Sequence, residues 1–429
     1  MPEPSVRSPR IRSLIFVLIF GFACTGYLQR QGIGIAAERM MSELGLTQIQ
    51  VGWLITAFLF AYAVFQVPGA LFGQRFGARW VITVTGFLTV LASVMTAAAP
   101  LVATAALMFT TLVLARSLLG VAQGGLFPVA SGTIRHWYPF TRWSSMVGLM
   151  VTGLWTGAAI ASPLVASLMQ AYGWQAALII TSVPSLILVV LWFACVRDLP
   201  ERHPWVKPAE LAELAANPPY DAAAPLTARR VFRVLGDPQI LLLTLSYLVM
   251  NYVFYLVTFW SFLYLVQERK LSVLESGWLA ALPFVVAGVA SAAGGRAADR
   301  LRLRFGDRGG PRVLPLFTLP LAALFLYLTV SLANPYWATA ALCLGFGSVE
   351  LNEGNYWGVA MRLAPNDSMA ATAVLNTGGN LGGVIGTPVI AALSAAQGGW
   401  GLVFATGIVT SVVAALLWLT IDPGRGERT

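Results

Sequence analysis

The sequence predicts an all-α membrane protein with twelve transmembrane helices in two pseudo-symmetric six-helix bundles. Of its 429 residues, 57% are hydrophobic and only 10% are charged, whereas an average soluble domain carries about 25% charged residues. The apolar residues come in blocks of about twenty, the length of a helix that crosses a ~30 Å hydrocarbon layer. In lipid only helices and closed barrels satisfy their own backbone groups, and these blocks lack the alternation of barrel strands.

The twelve helices are predicted where apolar blocks lie between turn residues and charge clusters. The first six, α1 to α6, are predicted at 13–37, 50–74, 80–98, 104–134, 144–170 and 174–196. The second six, α7 to α12, are predicted at 238–266, 273–298, 313–332, 336–362, 369–396 and 400–421. A polar segment with several prolines separates the sets, so we predict an N-terminal bundle at 1–197, a cytoplasmic linker at 198–237 and a C-terminal bundle at 238–429.

The basic residues predict the orientation of these helices. If the N-terminus is cytoplasmic, 22 of the 27 lysines and arginines fall in cytoplasmic segments and three, Arg39, Arg269 and Lys270, fall outside. This bias predicts that both termini are cytoplasmic, and we expect the inner membrane of a bacterium. The net charge of +9 is therefore mostly a signal of topology and does not indicate nucleic-acid binding.

Internal repeats show how the helices are organised. The pattern Gly-x4-Gln-Arg at 69–75 recurs as Gly-x4-Asp-Arg at 294–300, an offset of 225 residues. The same offset aligns the Gly-x3-Gly-x5-Pro patterns at 153–163 and 378–388. A constant offset over separated matches indicates two parallel six-helix repeats, for which a binding site near the middle of the membrane is expected between the halves.

Several segments resemble a known family of transporters. The segment 69–79 resembles the loop signature between the second and third helices of the major facilitator superfamily. Gly-Tyr-Leu-Gln-Arg at 26–30, the run 116–128 and Asn-Thr-Gly-Gly-Asn-Leu-Gly-Gly at 376–383 resemble the anion:cation symporter family of galactonate, phthalate and sialin-type carriers. The resemblance implies the major facilitator fold and secondary transport of an organic anion by alternating access, coupled to protons.

The chain departs from this family at two positions that concern coupling. Galactonate-type members usually carry an acidic residue where this chain has Gln29, and a glutamate where it has Gln123. Those carboxylates are implicated in proton coupling in the family. The resemblance therefore predicts the fold but leaves the usual coupling route open.

Four charged residues lie away from the ends of predicted membrane helices, within the apolar blocks: Arg30, Arg116, Glu350 and Glu353. An ionisable group at the bilayer centre costs at least ~2.5 kcal/mol, so each indicates a function. A guanidinium is permanently charged, and its fork of N–H donors matches a carboxylate. We expect Arg30 and Arg116 to bind the anion, and the alternative is that each arginine is paired with a glutamate and does not contact the substrate.

Glu350 and Glu353 are three residues apart, which predicts that they share one face of α10. We expect this pair to perform the proton coupling that Gln29 and Gln123 cannot perform. One alternative is a fixed salt bridge to Arg30, or to the other membrane arginine. Another is that the glutamates bind a cationic group of a zwitterionic substrate.

Further polar and aromatic side chains are candidates for the same substrate site. They occupy positions one or two turns from the charged residues, or positions that the offset of 225 residues relates to them. Such side chains often only join helices, contributing ~0.6 kcal/mol on average. The candidates are Tyr27, Gln123, Asn251, Tyr255, Trp357, Asn376 and Asn380.

These observations favour a secondary transporter that imports a small organic anion, a carboxylate, together with protons. A uniporter, an anion exchanger or an exporter of a zwitterionic or amphiphilic metabolite are alternatives, and a transporter-like nutrient receptor is the alternative outside transport. The sequence has no Gly-x4-Gly-Lys-Ser/Thr phosphate loop and no spacing of metal ligands, so we expect no ATP drive, metal, other cofactor or enzyme activity. We expect a monomer whose partners are the substrate, protons and the lipid bilayer, without nucleic acid.

Overall fold

The structure, a computed structural model, describes residues 11–215, 217, 228–395 and 399–425. Short helices at Pro208–Leu214 and Ala228–Leu235 belong to the predicted linker. The terminal segments 1–10 and 426–429 and most of 216–227 in the linker lie outside the described residues. The membrane helices are α1 (Ile11–Leu44), α2 (Gln48–Phe76), α3 (Ala78–Ala98), α4 (Ala105–Gly124 and Leu126–Trp137), α5 and α6 (Trp143–Cys195), α7 (Pro238–Gln267), α8 and α9 (Val273–Ser331), α10 (Pro335–Glu350 and Glu353–Leu363), α11 (Ser368–Ala395) and α12 (Gly399–Leu417).

Side-chain caps fix the first turns of several of these helices. Before α7, the Asp237 carboxylate accepts a hydrogen bond of 2.7 Å from the backbone N–H of Gln239. Pro238 follows as the first helical residue, where a missing N–H leaves no donor unsatisfied. Before α2, Thr47 and Gln50 form a reciprocal capping box. These bonds supply partners for N–H groups that the helices cannot satisfy themselves.

Two positive-φ glycines separate neighbouring membrane helices. Gly173, with φ of 81°, separates α5 from α6, in agreement with the predicted boundary. Gly306, with φ of 76°, separates α8 from α9, and this conformation is readily adopted only by glycine. The loop predicted at 299–312 is therefore wrong, because α8 continues up to Gly306 and α9 begins directly after it.

Helices α4 and α10 are each broken at pseudo-symmetric positions. The break in α4 is at Gly125, and Pro128 lacks the N–H that would bond to the carbonyl of the preceding turn. The break in α10 is at Leu351 and Asn352, where the Asn352 amide donates to the carbonyls of Ser348 (3.0 Å) and Val349 (3.2 Å). That side chain therefore satisfies carbonyls near the end of the first helical segment. The sequence predicted α10 as one continuous helix, so this turn is a correction.

Nine stretches within the described residues are long and apolar enough to cross a membrane, judged by length and composition. One of them, Trp278–Ser331, has 54 residues and contains both α8 and α9. The nine do not include α10, which its turn divides into shorter segments, or α11, which contains two asparagines and several glycines. The helices of the structure therefore accommodate the twelve predicted spans.

The two bundles meet where α2 and α4 contact α11 and where α5 contacts α8 and α10. Because the chain crosses twelve times, α1 begins and α12 ends on the same face of the molecule, which we call the termini face. Glycine permits the closest approaches. A Cβ on Gly294 of α8 would lie 1.9 Å from the carbonyl oxygen of Leu351 in the turn of α10, far inside van der Waals contact.

Gly294→Ala is therefore expected to lower the free energy of unfolding by ~1–3 kcal/mol, because α8 must move away from the turn in α10. Gly34→Ala is the matched control, since no atom lies within 4 Å of a Cβ at that position of α1. Thermal unfolding of the purified protein in detergent measures both variants. Equal melting temperatures for the two variants would contradict the packing of α8 on α10.

Candidate substrate site

A cavity of about 60 Å³ lies between the bundles at the middle of the helices. Its walls come from α1, α2, α4 and α5 on one side and from α7, α10 and α11 on the other. Both bundles therefore contribute to one site. Nine of the eleven predicted site residues line it: Tyr27, Arg30, Asn251, Tyr255, Glu350, Glu353, Trp357, Asn376 and Asn380.

Arg30 is held by an aromatic cage of Tyr27, Phe58 and Tyr62. The central guanidinium carbon lies 4.5, 5.0 and 4.4 Å from the three ring centroids, respectively. A cation within about 6 Å of a ring face is attracted by the ring quadrupole, more strongly where water is excluded. Among the described residues, Nε and Nη2 of Arg30 are buried and have no hydrogen-bond partner. The cage thus stabilises the charge while leaving N–H donors for a ligand.

Arg116 and Gln123, the other two predicted residues, do not line this cavity. Arg116 is buried behind Phe58, with its guanidinium carbon 5.1 Å from the centroid of that ring. Gln123 donates to the carbonyl of Gly26 (3.2 Å) and lines a smaller cavity of about 10 Å³ inside the N-terminal bundle. The helical spacing of Arg116 and Gln123 predicted a shared face of α4 but could not predict that this face is turned away from the cavity.

Glu350 is fully buried, and its hydrogen bonds come from two different bundles. The indole Nε1 of Trp155 in α5 donates to Glu350 Oε2 over 3.0 Å. The hydroxyl of Ser291 in α8 donates to the same oxygen over 3.2 Å. In the part of the chain that the structure describes, Glu350 Oε1 is buried without a partner. An unsatisfied buried oxygen destabilises the site, so a proton or a donor group of a ligand would be bound favourably at Oε1.

Glu353 lies across the turn of α10 and is bonded entirely within the C-terminal bundle. The Tyr247 hydroxyl lies 3.1 and 3.0 Å from its two carboxylate oxygens, and Trp357 Nε1 donates to Oε2 over 3.2 Å. The turn between Glu350 and Glu353 keeps right-handed helical backbone angles, and both side chains line one cavity, as their spacing of three residues predicted. They face the same cavity but have different partners.

The predicted alternative of a fixed salt bridge can be compared with these contacts. Among the described residues, no ion pair joins Arg30 or Arg116 to Glu350 or Glu353. The glutamates instead accept hydrogen bonds from neutral indole and hydroxyl groups. In this conformation the positive and negative charges of the site are therefore held separately.

Helices α7 and α11 form a polar wall of the cavity. The Tyr255 hydroxyl donates to the side-chain oxygen of Asn380 over 2.9 Å. The Asn380 amide donates to the backbone carbonyl of Asn376 over 2.6 Å. Asn376 in turn donates to the Tyr62 hydroxyl over 3.3 Å, a bond that crosses between the bundles. These side chains can exchange hydrogen bonds with a polar ligand at modest cost.

Sequence reasoning did not predict several residues of the cavity wall. Tyr247 could have been found, because it precedes Asn251 and Tyr255 at intervals of four residues on one face of α7. Trp155 is related to Asn380 by the offset of 225 residues, which was a further signal. The other unpredicted wall residues carry no charge and gave no such signal: Tyr62, Phe127, Val151, Leu154 and Phe254.

Hydrogen bonds close the termini face on one side of the cavity. Asp299 of α8 accepts bonds from the backbone N–H (2.7 Å) and the hydroxyl (2.6 Å) of Ser145 at the start of α5. Arg362 of α10 donates to Asp299 (3.3 Å) and to the Ser144 hydroxyl (3.0 Å). The start of a helix stabilises a negative charge through its free N–H groups. We call these four residues the termini-face lock.

The pseudo-symmetric contact between α2 and α11 has no such charge. Gln74 stands where the second repeat has Asp299, and its side-chain oxygen is buried without a partner among the described residues. There Met369 at the start of α11 packs against Gly73 and Gly132, where a Cβ would lie 3.1 Å from its Sδ and 2.3 Å from its Cε, respectively. Uncharged Gln74 therefore occupies the position that corresponds to Asp299 of the termini-face lock.

The described part of the linker is attached to the same face. Asn217 accepts from the backbone N–H of Phe140 (2.8 Å) and donates to the carbonyl of Tyr138 (3.0 Å). Arg12 forms an ion pair with Glu213 over 2.6 Å. Burial raises the pKa of Tyr138 to about 12, so its hydroxyl stays protonated and donates to the carbonyl of Arg12 over 2.9 Å. The linker thus packs on the loop between α4 and α5.

Twelve membrane helices around a polar cavity that is closed on one face define a multi-pass membrane transporter. The sequence model of the Major Facilitator Superfamily matches residues 16–387. The chain therefore belongs to this superfamily, which confirms the family and fold predicted from its motifs.

Individual relatives agree with this assignment. The chain is 28% identical to the probable sulfoacetate transporter SauU of Cupriavidus necator, covering 95% of this chain and 94% of that protein. It is 25% identical to the hexuronate transporter of Bacillus subtilis, covering 87% and 85%, respectively. Among solved structures, the proton:xylose symporter XylE superposes with a TM-score of 0.76 at 14% identity, over 97% of each chain. That structural likeness confirms the fold.

Asp299→Asn is expected to open the termini face, because bonds to a charged group stabilise by ~1.5–3 kcal/mol and bonds between neutral groups by ~0.5–1.5 kcal/mol. A cysteine at Val151 in the cavity wall, in a background without the three native cysteines, reports the opening. In vesicles whose termini face points outward, alkylation by an impermeant maleimide should become several-fold faster.

Asp237→Asn is the matched control for this experiment. Asp237 accepts a hydrogen bond from the backbone N–H of Gln239 at the start of α7, inside the C-terminal bundle. Its substitution should leave the alkylation rate unchanged. An equal increase in both variants would show that the bonds of Asp299 do not hold the face closed.

Proposed function

We propose that this chain is a secondary transporter that carries a small organic anion, a carboxylate, by alternating access, with Arg30 as the anion-binding group. The observation that carries this proposal is the state of Arg30 in the cavity. Its charge is stabilised by three aromatic rings, while Nε and Nη2 are buried without a partner among the described residues. A carboxylate would satisfy these donors with charge-assisted hydrogen bonds.

The walls of the cavity and the relatives of the chain support this substrate class. Asn251, Asn376 and Asn380 offer polar groups opposite the aromatic cage, which suits the hydroxyl or second polar group of an organic acid. The two relatives described above are named as transporters of sulfoacetate and hexuronate, both organic anions. The cavity of about 60 Å³ holds only a few water-sized groups, so the site must widen to admit such a molecule.

We place both termini in the cytoplasm of a bacterial cell with an inner membrane, as the distribution of basic residues indicates. The closed termini face is then the cytoplasmic side, and import driven by the proton gradient is the direction of this proposal. The predicted bundles at 1–197 and 238–429, joined by the linker at 198–237, would rock about the site as a monomer.

Protons are the coupling ion of this proposal, with Glu350 and Glu353 as the coupling groups. Both carboxylates are almost fully buried in the cavity wall, where an ionised carboxylate is costly unless it is paired or hydrogen-bonded. The positions of the family's usual carboxylates, Gln29 and Gln123, cannot titrate. Proton binding to the glutamates would lower the cost of moving the site through the closed state.

A second candidate substrate is a zwitterion. Glu350 Oε1 is buried and has no partner in the described chain, and it belongs to the same cavity as Arg30. A ligand with a carboxylate and an ammonium group could bind both residues at once.

Ligand-induced thermal stabilisation tests the anion site. A bound carboxylate at 100 times its Kd should stabilise the protein by ~2.7 kcal/mol, and Arg30→Ala should weaken binding more than about tenfold, since bonds to charged groups contribute ~1.5–3 kcal/mol. A library of sugar acids, aromatic carboxylates and zwitterionic amino acids covers both candidates. Arg116→Ala should weaken binding less, because Phe58 separates Arg116 from the cavity.

Two results would argue against this assignment. If no carboxylate stabilises the wild-type protein, the anion-binding function fails. If Arg30→Ala retains the full stabilisation, the anion binds elsewhere. Stabilisation by amino acids alone, lost equally in Arg30→Ala and Glu350→Gln, would favour the zwitterion.

Uptake into proteoliposomes, with and without a proton gradient, tests the coupling. Wild-type uptake of the ligand found above should rise with a gradient that is acidic outside. Glu350→Gln and Glu353→Gln keep the size of each side chain but cannot bind a proton, so the gradient dependence should fall in at least one of them. An unchanged gradient dependence in both variants would exclude these glutamates as the coupling groups.

A further inference from the structure

Trp155 of α5 is a side chain of the N-terminal bundle that is embedded in the C-terminal bundle. Its ring centroid lies 5.6 Å from that of Phe284 in α8, with the planes stacked at 16°. It lies 5.5 Å from both Phe254 of α7 and Phe346 of α10. Trp155 is only 1% exposed. Any rocking of the bundles at the level of the cavity must therefore move this indole relative to three partner rings.

The indole N–H ties Trp155 to one of the two carboxylates. It donates to Glu350 Oε2 over 3.0 Å, so this bond crosses from one bundle to the other. The other donor to that oxygen, Ser291, belongs to the C-terminal bundle together with Glu350. A charged acceptor makes a hydrogen bond roughly twice as strong as a neutral one, and a water-excluded site increases the difference.

Glu353 provides the contrast within the same cavity. It also accepts from an indole N–H, that of Trp357, and from the hydroxyl of Tyr247. Both donors lie in the C-terminal bundle with Glu353, so a change of charge on Glu353 alters no hydrogen bond between the bundles. The two carboxylates therefore differ in whether they accept a hydrogen bond from the other bundle, and such a bond must change when the bundles rock.

We infer that Trp155 is a positioning residue that couples the charge on Glu350 to the arrangement of the bundles. Ionised Glu350 holds the indole, and with it the conformation that is closed at the termini face. When Glu350 takes up a proton from water that reaches the cavity, the bond to Trp155 becomes a weaker neutral one and the bundles can rock. This inference rests on the proposed proton coupling and assigns the conformational part of it to Glu350 rather than Glu353.

Other groups near Glu350 contribute to its field. The charged and titratable residues of the cavity wall are Arg30 and Tyr27 from α1, Tyr62 from α2, Tyr247 and Tyr255 from α7, and Glu353 from α10. The neighbours from α5, α8 and α11 used above are an indole, a hydroxyl and amides, which carry no charge. The direction of the pH dependence follows from the hydrogen bond between Trp155 and Glu350. Because the bond is stronger to the ionised form, the conformation described here gains population as the pH rises.

Distances between spin labels on the face opposite the termini face test this inference without any substrate. Labels are attached to cysteines at Leu101 and Glu268, exposed positions on the opposite face of the N-terminal and C-terminal bundles, in a background without native cysteines. In wild type the ratio of the long-distance to the short-distance population should increase about tenfold from acidic to alkaline pH. In Trp155→Phe, which keeps an aromatic ring but lacks the N–H, the increase should shrink to about threefold or less.

Trp357→Phe is the matched control, since it removes the indole donor to Glu353 within one bundle, and it should keep the wild-type increase. Glu350→Gln should abolish the pH response, and adding Trp155→Phe to it should change nothing further. In Glu350→Asp the carboxylate still titrates, but the side chain is too short for the 3.0 Å bond to Trp155. This variant should therefore show the same reduced pH response as Trp155→Phe, and it replaces Trp155→Phe in the test if that variant does not fold.

Three results would overturn the inference. One is a wild-type pH response that persists in Trp155→Phe or, where that variant does not fold, in Glu350→Asp. Another is an equal loss of response in Trp357→Phe. A wild type whose distances do not respond to pH would also overturn it, but carboxylate binding through Arg30 would then be unaffected, so the two failures can be told apart.

Discussion

A permanent positive charge at the middle of a membrane protein is the constraint around which this structure is built. Arg30 cannot lose its proton, and a buried ion without a partner is strongly destabilising. The chain compensates with the faces of Tyr27, Phe58 and Tyr62 rather than with a carboxylate. A glutamate partner would have satisfied the guanidinium permanently. Aromatic rings stabilise the charge and leave Nε and Nη2 without a hydrogen-bond partner among the described residues, and the anion of the proposed function would satisfy these donors.

The two carboxylates of the cavity are also held by uncharged groups, and each has its own hydrogen-bond donors. Glu350 and Glu353 face one cavity three residues apart, where like charges repel each other. Their hydrogen-bond partners differ, since one carboxylate meets Trp155 of the other bundle and the other meets Tyr247 of its own. At the turn between them, the Asn352 amide bonds to the carbonyls of Ser348 and Val349.

How much of this could be predicted from the sequence depends on the kind of signal. Arg30, Glu350 and Glu353 were predicted as site residues because each is a charge within an apolar block. Burying a charge in a membrane helix is costly, so such a residue usually has a function. The direction in which a side chain points within the bundle was not predictable from the sequence. Arg116 was therefore assigned to the cavity, although the ring of Phe58 lies between them. The arginines and glycines of 299–312 indicated a loop, yet arginines are also good helix formers when their charged ends reach water.

The closed termini face shows that internal symmetry of sequence does not require symmetry of mechanism. On the edge formed by α5, α8 and α10, opening must break charge-assisted bonds of Asp299. On the edge formed by α2, α4 and α11, Met369 packs across glycines, and the Asn376 amide donates to the Tyr62 hydroxyl across the bundles at the cavity. The termini-face lock therefore lies on the first edge, the edge that also carries Trp155 and Glu350. The proton uptake proposed for Glu350 would act on the same helices that the termini-face lock holds.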